Sequence, residues 1–132
     1  MVLGKLDFPK FTKEVFLAGT LPATSTNYGC FFIADRPCIV EEFHMRYETT
    51  STAAVTMQLR KVASGTTITV AGAGNNMLVT ATALNGATAT NIVGTVNGAS
   101  ATLLSGESLA LVPSGTPTNL ANALFSAKIK YL

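Results

Sequence analysis

Tryptophan is absent from this chain of 132 residues, histidine occurs once, and charged residues make up 12% of it. Soluble domains usually carry about a quarter. The shortage is concentrated: between Lys61 and Glu107, from Val62 to Gly106, no side chain is charged. Each scarcity excludes something. The basic residues are few and scattered, and the net charge is +2, so the electrostatic footprint that holds nucleic acid is missing. The seven Phe and three Tyr do not interleave with basic residues as single-strand binders do. The lack of Trp argues against a sugar-stacking platform.

Long apolar runs are also missing. Mean hydropathy is high, at +0.38, yet Thr, Ser, Asn or Gly interrupts every apolar run well before the ~18 residues that a membrane helix requires. No membrane partner is expected. The beginning, MVLGKLDFPKFTKE, lacks the continuous apolar segment of a signal peptide, which points to synthesis in the cytosol. There a pair of cysteines, Cys30 and Cys38, is expected as free thiols. A turn around Asp35-Arg36-Pro37 leaves a bridge between them as the alternative.

Catalytic and metal chemistry have little to work with. A nucleophilic triad or Cys–His pair would have to recruit His44, which period-2 alternation places on the polar face of a strand. Two cysteines and one histidine at these spacings fit no zinc pattern. Glu41 and Glu42 are strand neighbours pointing to opposite faces, so they cannot pair as glycosidase carboxylates. Neither Asp35 nor Glu48 is required to approach them. Glu41 falls on the apolar face, which predicts the core rim or an ion pair with a base such as Lys61. Gly72 and Gly74 in VAGAGNNM lack the third glycine, lysine and helix of a phosphate loop and read as a hairpin tip. The expectation is a non-enzymatic chain with no cofactor and no metal.

What is present is alternation. In CIVEEFHMRY, Cys38 to Tyr47, the residues Ile39, Phe43, Met45 and Tyr47 share one face, and Val40, Glu42, His44 and Arg46 the other. In AVTMQLRKV, Ala54 to Val62, Val55, Met57 and Leu59 point inward. In ALFSAKIKYL, Ala123, Phe125, Ala127, Ile129 and Tyr131 oppose Lys128 and Lys130. Shorter strands are predicted at Glu14–Ala18, Tyr28–Ala34, Thr66–Ala71, Thr90–Val96 and Ser108–Pro113. Ser-Gly and Asn-Gly pairs at 64–65, 85–86, 97–98 and 105–106 supply turns, and Asn97-Gly98 is a two-residue hairpin signal. No helix announces itself. The fold class is all-β, a single antiparallel β-sandwich of seven to eight strands, jelly-roll-like or immunoglobulin-like in strand order. Residues 13–132 form that sandwich. Residues 1–12, with Leu3, Leu6, Phe8 and Phe11 among single charges, read as an extended arm that folds back on its own domain or crosses a neighbour.

Two stretches, FFIADRPCIVEEFHMRYETTSTAAVTMQLRKVASGT (Phe31 to Thr66) and LLSGESLALVPSGTPTNLANALFSAKIKYL (Leu103 to Leu132), together resemble β-sandwich structural proteins of tailed bacteriophages. These decorate or cement the capsid or form the base of head fibres. The matching pieces are Ile33-Ala34-Asp35 before a long strand, Ala54 to Thr66, and the alternating leucines of Leu103 to Leu111. The resemblance covers about two-thirds of the chain and leaves the arm and Ala71–Ala101 unmatched. It implies a decoration protein on the capsid surface of a virion, made in the host cytoplasm, with the major capsid protein as partner and a homo-oligomer, trimer favoured. The arm residues Leu3, Leu6, Phe8 and Phe11 become capsid-contact candidates. Thr82, Thr88 and Thr95 become oligomer-interface candidates, because an uncharged contact desolvates no ion. The alternative is a head-fibre or tail-associated module whose loops ETTSTA or AGAGNN bind host-surface glycan.

Overall fold

The computed structural model describes residues 9–20, 29–68 and 75–132. Among the described residues nine strands run in chain order: β1 (Lys10–Thr20), β2 (Cys30–Ile33), β3 (Cys38–Thr49), β4 (Thr56–Val62), β5 (Thr82–Ala83), β6 (Ile92–Gly94), β7 (Thr102–Leu103), β8 (Ser108–Ser114) and β9 (Ala121–Tyr131). They form two antiparallel sheets. The first has the order β1-β9-β3-β6, with β7 also on β3, and the second the order β2-β8-β4-β5. The pairs are nested: β4 with β5, β3 with β6, β2 with β8 and β1 with β9. One long antiparallel hairpin has been rolled up, its strands divided between the two sheets. The all-β sandwich expected from alternation is therefore present.

The core lies between the sheets. Phe43, Met45, Tyr47, Phe125 and Ile129 of the first sheet meet Met57, Leu59, Leu109 and Leu111 of the second, all at most 2% exposed. Phe43 and Phe125 stack with centroids 6.5 Å apart. On the outer side of the second sheet, Val62 and Ala110 form a small satellite cluster with Ile68 and Val112.

The alternation of β4 and β9 is observed as read, but that of β3 breaks. The pairing of β3 with β9 slips between Val40 and Glu42, which leaves Glu41 as an extra residue. A β-bulge of this kind changes which parity faces the core. Upstream of it Cys38 and Val40 are buried, while Ile39, expected inside, is only partly so. Glu41 is held at the rim by Lys10, 3.2 Å away, and not by Lys61, whose Nζ donates to the Thr102 carbonyl at 3.3 Å.

Two other expectations are corrected. Asn97 does turn the chain, accepting from Ser100 N–H at 2.9 Å. The flanking β6 and β7, however, pair with β3 and not with each other, because β3 is long enough to template both. Thr66 to Ile68 form no strand, and the rest of that expected strand lies outside the described residues. The two-residue strands β5 and β7 were not expected, being too short to show a period.

One end of the sandwich is cross-braced. The Ser51 N–H donates to the Leu84 carbonyl at 3.0 Å, and Thr52 N–H to the Thr118 carbonyl at 2.9 Å. The buried Ser51 hydroxyl accepts from Thr118 N–H at 3.2 Å. The Tyr47 hydroxyl accepts from Gly86 N–H at 3.0 Å. These bonds tie the β3–β4, β5–β6 and β8–β9 connections together, so ETTSTA is a fixed platform among the described residues.

Candidate interaction surfaces

The sandwich has two sides where the edges of its sheets meet. On one side β1 borders β2. Lys10 to Thr12, which the sequence reading gives to the arm, are the first residues of β1. Phe11 sits opposite Ile129. Its ring packs 4.9 Å from Tyr131 and 5.6 Å from Phe32, half-buried against the core. Alternation places it inward with Val15 and Leu17, so it anchors the sheet edge. Leu3, Leu6 and Phe8 lie outside the described residues. The chain enters β1 at Pro9, whose carbonyl accepts from Tyr131 N–H at 3.1 Å.

Between these edges runs a groove of about 820 Å³ whose lining includes Phe11, Phe32, Tyr131, Lys13, Asp35 and Cys30. The Arg36 guanidinium lies 3.7 Å over the Tyr131 ring, a cation–π contact. Partial loss of hydration, then the hydrogen bond to the Asp35 carboxylate, push the Tyr131 phenol above its ordinary range.

On the opposite side, β5 and β6 are the edges, and this side is closed. Leu78 bridges Val96, Val79 N–H donates to the Thr95 carbonyl at 2.9 Å, and Asn97 N–H to the Met77 carbonyl at 2.7 Å. All of it comes from the uncharged run. Thr82, Thr88 and Thr95 are brought to this flank, though not to one point. Thr82 is half-buried opposite Met57. Thr88 is exposed in the β5–β6 connection, its carbonyl accepting from the Thr90 hydroxyl at 3.0 Å. Thr95 is exposed beside Val79.

Sequence reasoning missed the apolar residues of this flank. Leu78 and Gly94 are buried and point inward, so Val79, Val93 and Thr95 point outward by period 2. Val79 is 63% exposed and Val93 61%. Val79 lies beside Thr95, and Val93 is two residues along from Thr95 on the same outward face. The signal was available in TNIVGTV: once Ile92 and Gly94 are inward, Val93 must be outward.

The polar constellations remain surface pairs. His44 sits on the outer face of the first sheet, opposite Val93 and Ser126. Its Nδ1 is 3.1 Å from Asn91 Oδ1, and its Nε2 is 3.1 Å from Glu42 Oε2. Lys128 lies 3.8 Å from the other Glu42 oxygen. The His44 hydrogen bond first, and Lys128 second, hold the Glu42 carboxyl below its ordinary value. Glu48 pairs with Arg46 at 3.1 Å. Among the described residues no group of three or more His, Cys, Asp or Glu is arranged to hold a metal ion, and no helix is long and apolar enough to cross a membrane. Cys30 is exposed and Cys38 buried, both free. Burial first, then the negative charges of Asp35 and Glu107, push the Cys38 thiol up. Gly72 and Gly74 lie outside the described residues.

No family model matches this chain, and no curated protein matches it. Among solved structures, it is similar to a chain of the cyanophage Pam1 capsid asymmetric unit. The likeness covers 100% of this chain and 91% of that one, at 11% identity and a TM-score of 0.56. At that identity the likeness is one of fold: the sandwich described above is shared along the whole length of this chain.

Proposed function

We propose that this chain is a non-enzymatic structural protein of a bacteriophage virion. It decorates and cements the capsid by bridging neighbouring major capsid subunits on the outer surface, as a homo-oligomer with a trimer favoured. The observation that carries this reading is the full-length fold likeness to a chain of a phage capsid asymmetric unit. The nested pairing of eight of the described strands supports it, since rolling one hairpin into two sheets is how a jelly roll is built, a fold common in capsid proteins. Modest net charge supports a protein partner over nucleic acid.

The mechanism is mass action: a protein that binds only the assembled shell stabilises that shell. Leu3, Leu6 and Phe8 are the proposed capsid contacts, and Phe11, packed on Tyr131 and Phe32, is the anchor from which they extend. The test is co-sedimentation with shells of the major capsid protein from the same genome. Full-length protein should bind at a fixed ratio to capsid subunits, and a chain starting at Pro9 should fold but not bind. Full binding by the shortened chain would remove the arm from the contact. No binding by either would overturn the proposal.

A further inference from the structure

We infer that the β5/β6 flank is a contact between copies of this chain, centred on Val79 and Val93 and rimmed by uncharged Thr and Asn residues of the same run and, on the β3 side, by His44. The occupant is a second copy. This inference rests on the oligomer part of the proposal above and not on capsid binding.

Three observations carry it. The first is anatomy. Val79 and Val93 are among the most exposed large apolar side chains described, at 63% and 61%, and Thr95 lies between them. Thr80, Thr90 and Asn91 around them are exposed and uncharged. An apolar centre within a polar rim, depleted in charge, is how protein interfaces are composed.

The second is symmetry. In a closed oligomer, residues near the rotation axis meet their own copies, so any charge there faces the same charge. A flank drawn entirely from a stretch with no Asp, Glu, Lys or Arg between Lys61 and Glu107 meets its copies without repulsion or ion desolvation. On the neighbouring β3 the outward ionisable groups are already engaged: His44, opposite Val93, by Glu42 and Asn91 at 3.1 Å each, and Arg46 by Glu48 at 3.1 Å.

The third is the state of the backbone. At this edge the bonds from Val79 to Thr95 and from Asn97 to Met77 already occupy main-chain groups. Addition of a foreign strand is therefore disfavoured, and contact through outward side chains is left. The flank is also rigid, because Leu78 beneath it is fully buried against Gly94 and Phe43, so ordering it on association costs little entropy.

The experiment is sedimentation velocity on the full chain at low micromolar concentration, comparing wild type with Val79→Asp, Val93→Asp and Phe16→Asp. Phe16, 59% exposed on β1 at the opposite edge, is the control for losing an exposed apolar side chain. The inference expects wild type and Phe16→Asp to be oligomeric. It expects Val79→Asp and Val93→Asp to associate at least about tenfold more weakly, while keeping the circular-dichroism spectrum of the folded chain. An oligomer that survives both valine substitutions overturns the inference and leaves the oligomer reading standing. Equal loss on Phe16→Asp overturns the placement. A monomeric wild type overturns both the inference and the oligomer part of the proposal, and capsid binding is then judged by co-sedimentation alone.

Discussion

The side chain of Gln58 takes the place of a missing ladder rung beside Leu78. Its Oε1 accepts from Leu78 N–H at 2.9 Å, and its Nε2 donates to the Leu78 carbonyl at 3.4 Å. Gln58 is 8% exposed and Leu78 1%. The second sheet needs this because β4 pairs with Asn76 through Arg60 and then with Thr82 through Met57, while the chain between them leaves to bridge Val96, just after β6. Replacing Gln58 with Leu keeps the volume but strands both polar groups of Leu78. Each such group costs about 1–3 kcal/mol, and partial access of water reduces the total. The expected loss is about 2–3 kcal/mol in urea unfolding, with a fall in melting temperature of roughly 8–12 °C. A loss below half a kcal/mol would mean that the backbone of Leu78 finds other partners.

Gly94 is required by packing and not by its backbone angle. A Cβ there would lie 3.1 Å from both Leu78 Cδ2 and Phe43 Cδ1, two fully buried side chains in a close-packed interior. Gly94→Ala should destabilise by about 1–3 kcal/mol, while Gly98→Ala, with nothing within 4 Å, should change little. Chemical denaturation of the two variants side by side checks the contrast.

The thiols should differ sharply. Cys30 is exposed and Cys38 fully buried, and the Cys38 thiol is further disfavoured as a thiolate. One equivalent of a thiol reagent should react with native protein within minutes, at Cys30, and the second only as the chain unfolds. Equal rates would contradict the burial of β3 against Leu103 and Tyr131.

Glu42 predicts an acid-side dependence. Its folded value lies below the ordinary 4.5 because His44 and Lys128 favour the carboxylate. In the window between the folded and ordinary values the unfolded chain binds more protons, so this contribution to stability rises with pH there. It is fully present above pH 4.5 and is lost as pH falls through the lowered value. A carboxyl NMR titration should find the Glu42 midpoint below 4.5 and His44→Ala should move it upward. An unmoved midpoint would mean that His44 does not act on Glu42.

The sandwich was legible because β4 and β9 keep strict alternation, with Met57 and Leu59 or Phe125, Ala127 and Ile129 on one face. In β3 the same reading failed at Ile39 and Val40. Cys38, Ile39 and Val40 are all apolar, so nothing local marks the bulge at Glu41, which is set by pairing to β9, distant in sequence. The role of Gln58 was hidden for a similar reason: period 2 places it outward, and only the path of residues 76–82 buries it. Thr82, Thr88 and Thr95 were found on one flank through their lack of charge. That criterion could not rank them, or point to Val79 and Val93, two ordinary valines in a chain rich in them, as the exposed apolar side chains of that flank. Strand order depends on partners far apart in the chain and was not readable from local pattern.

The most direct test of the decoration reading is the thermal transition of shells assembled from the major capsid protein of the same genome, recorded with and without this protein at saturation. Binding confined to the assembled state must raise that transition, by an amount that grows with the logarithm of free protein concentration, and the bound copies must reach a fixed ratio to capsid subunits. An unshifted transition with no saturable binding would contradict the account.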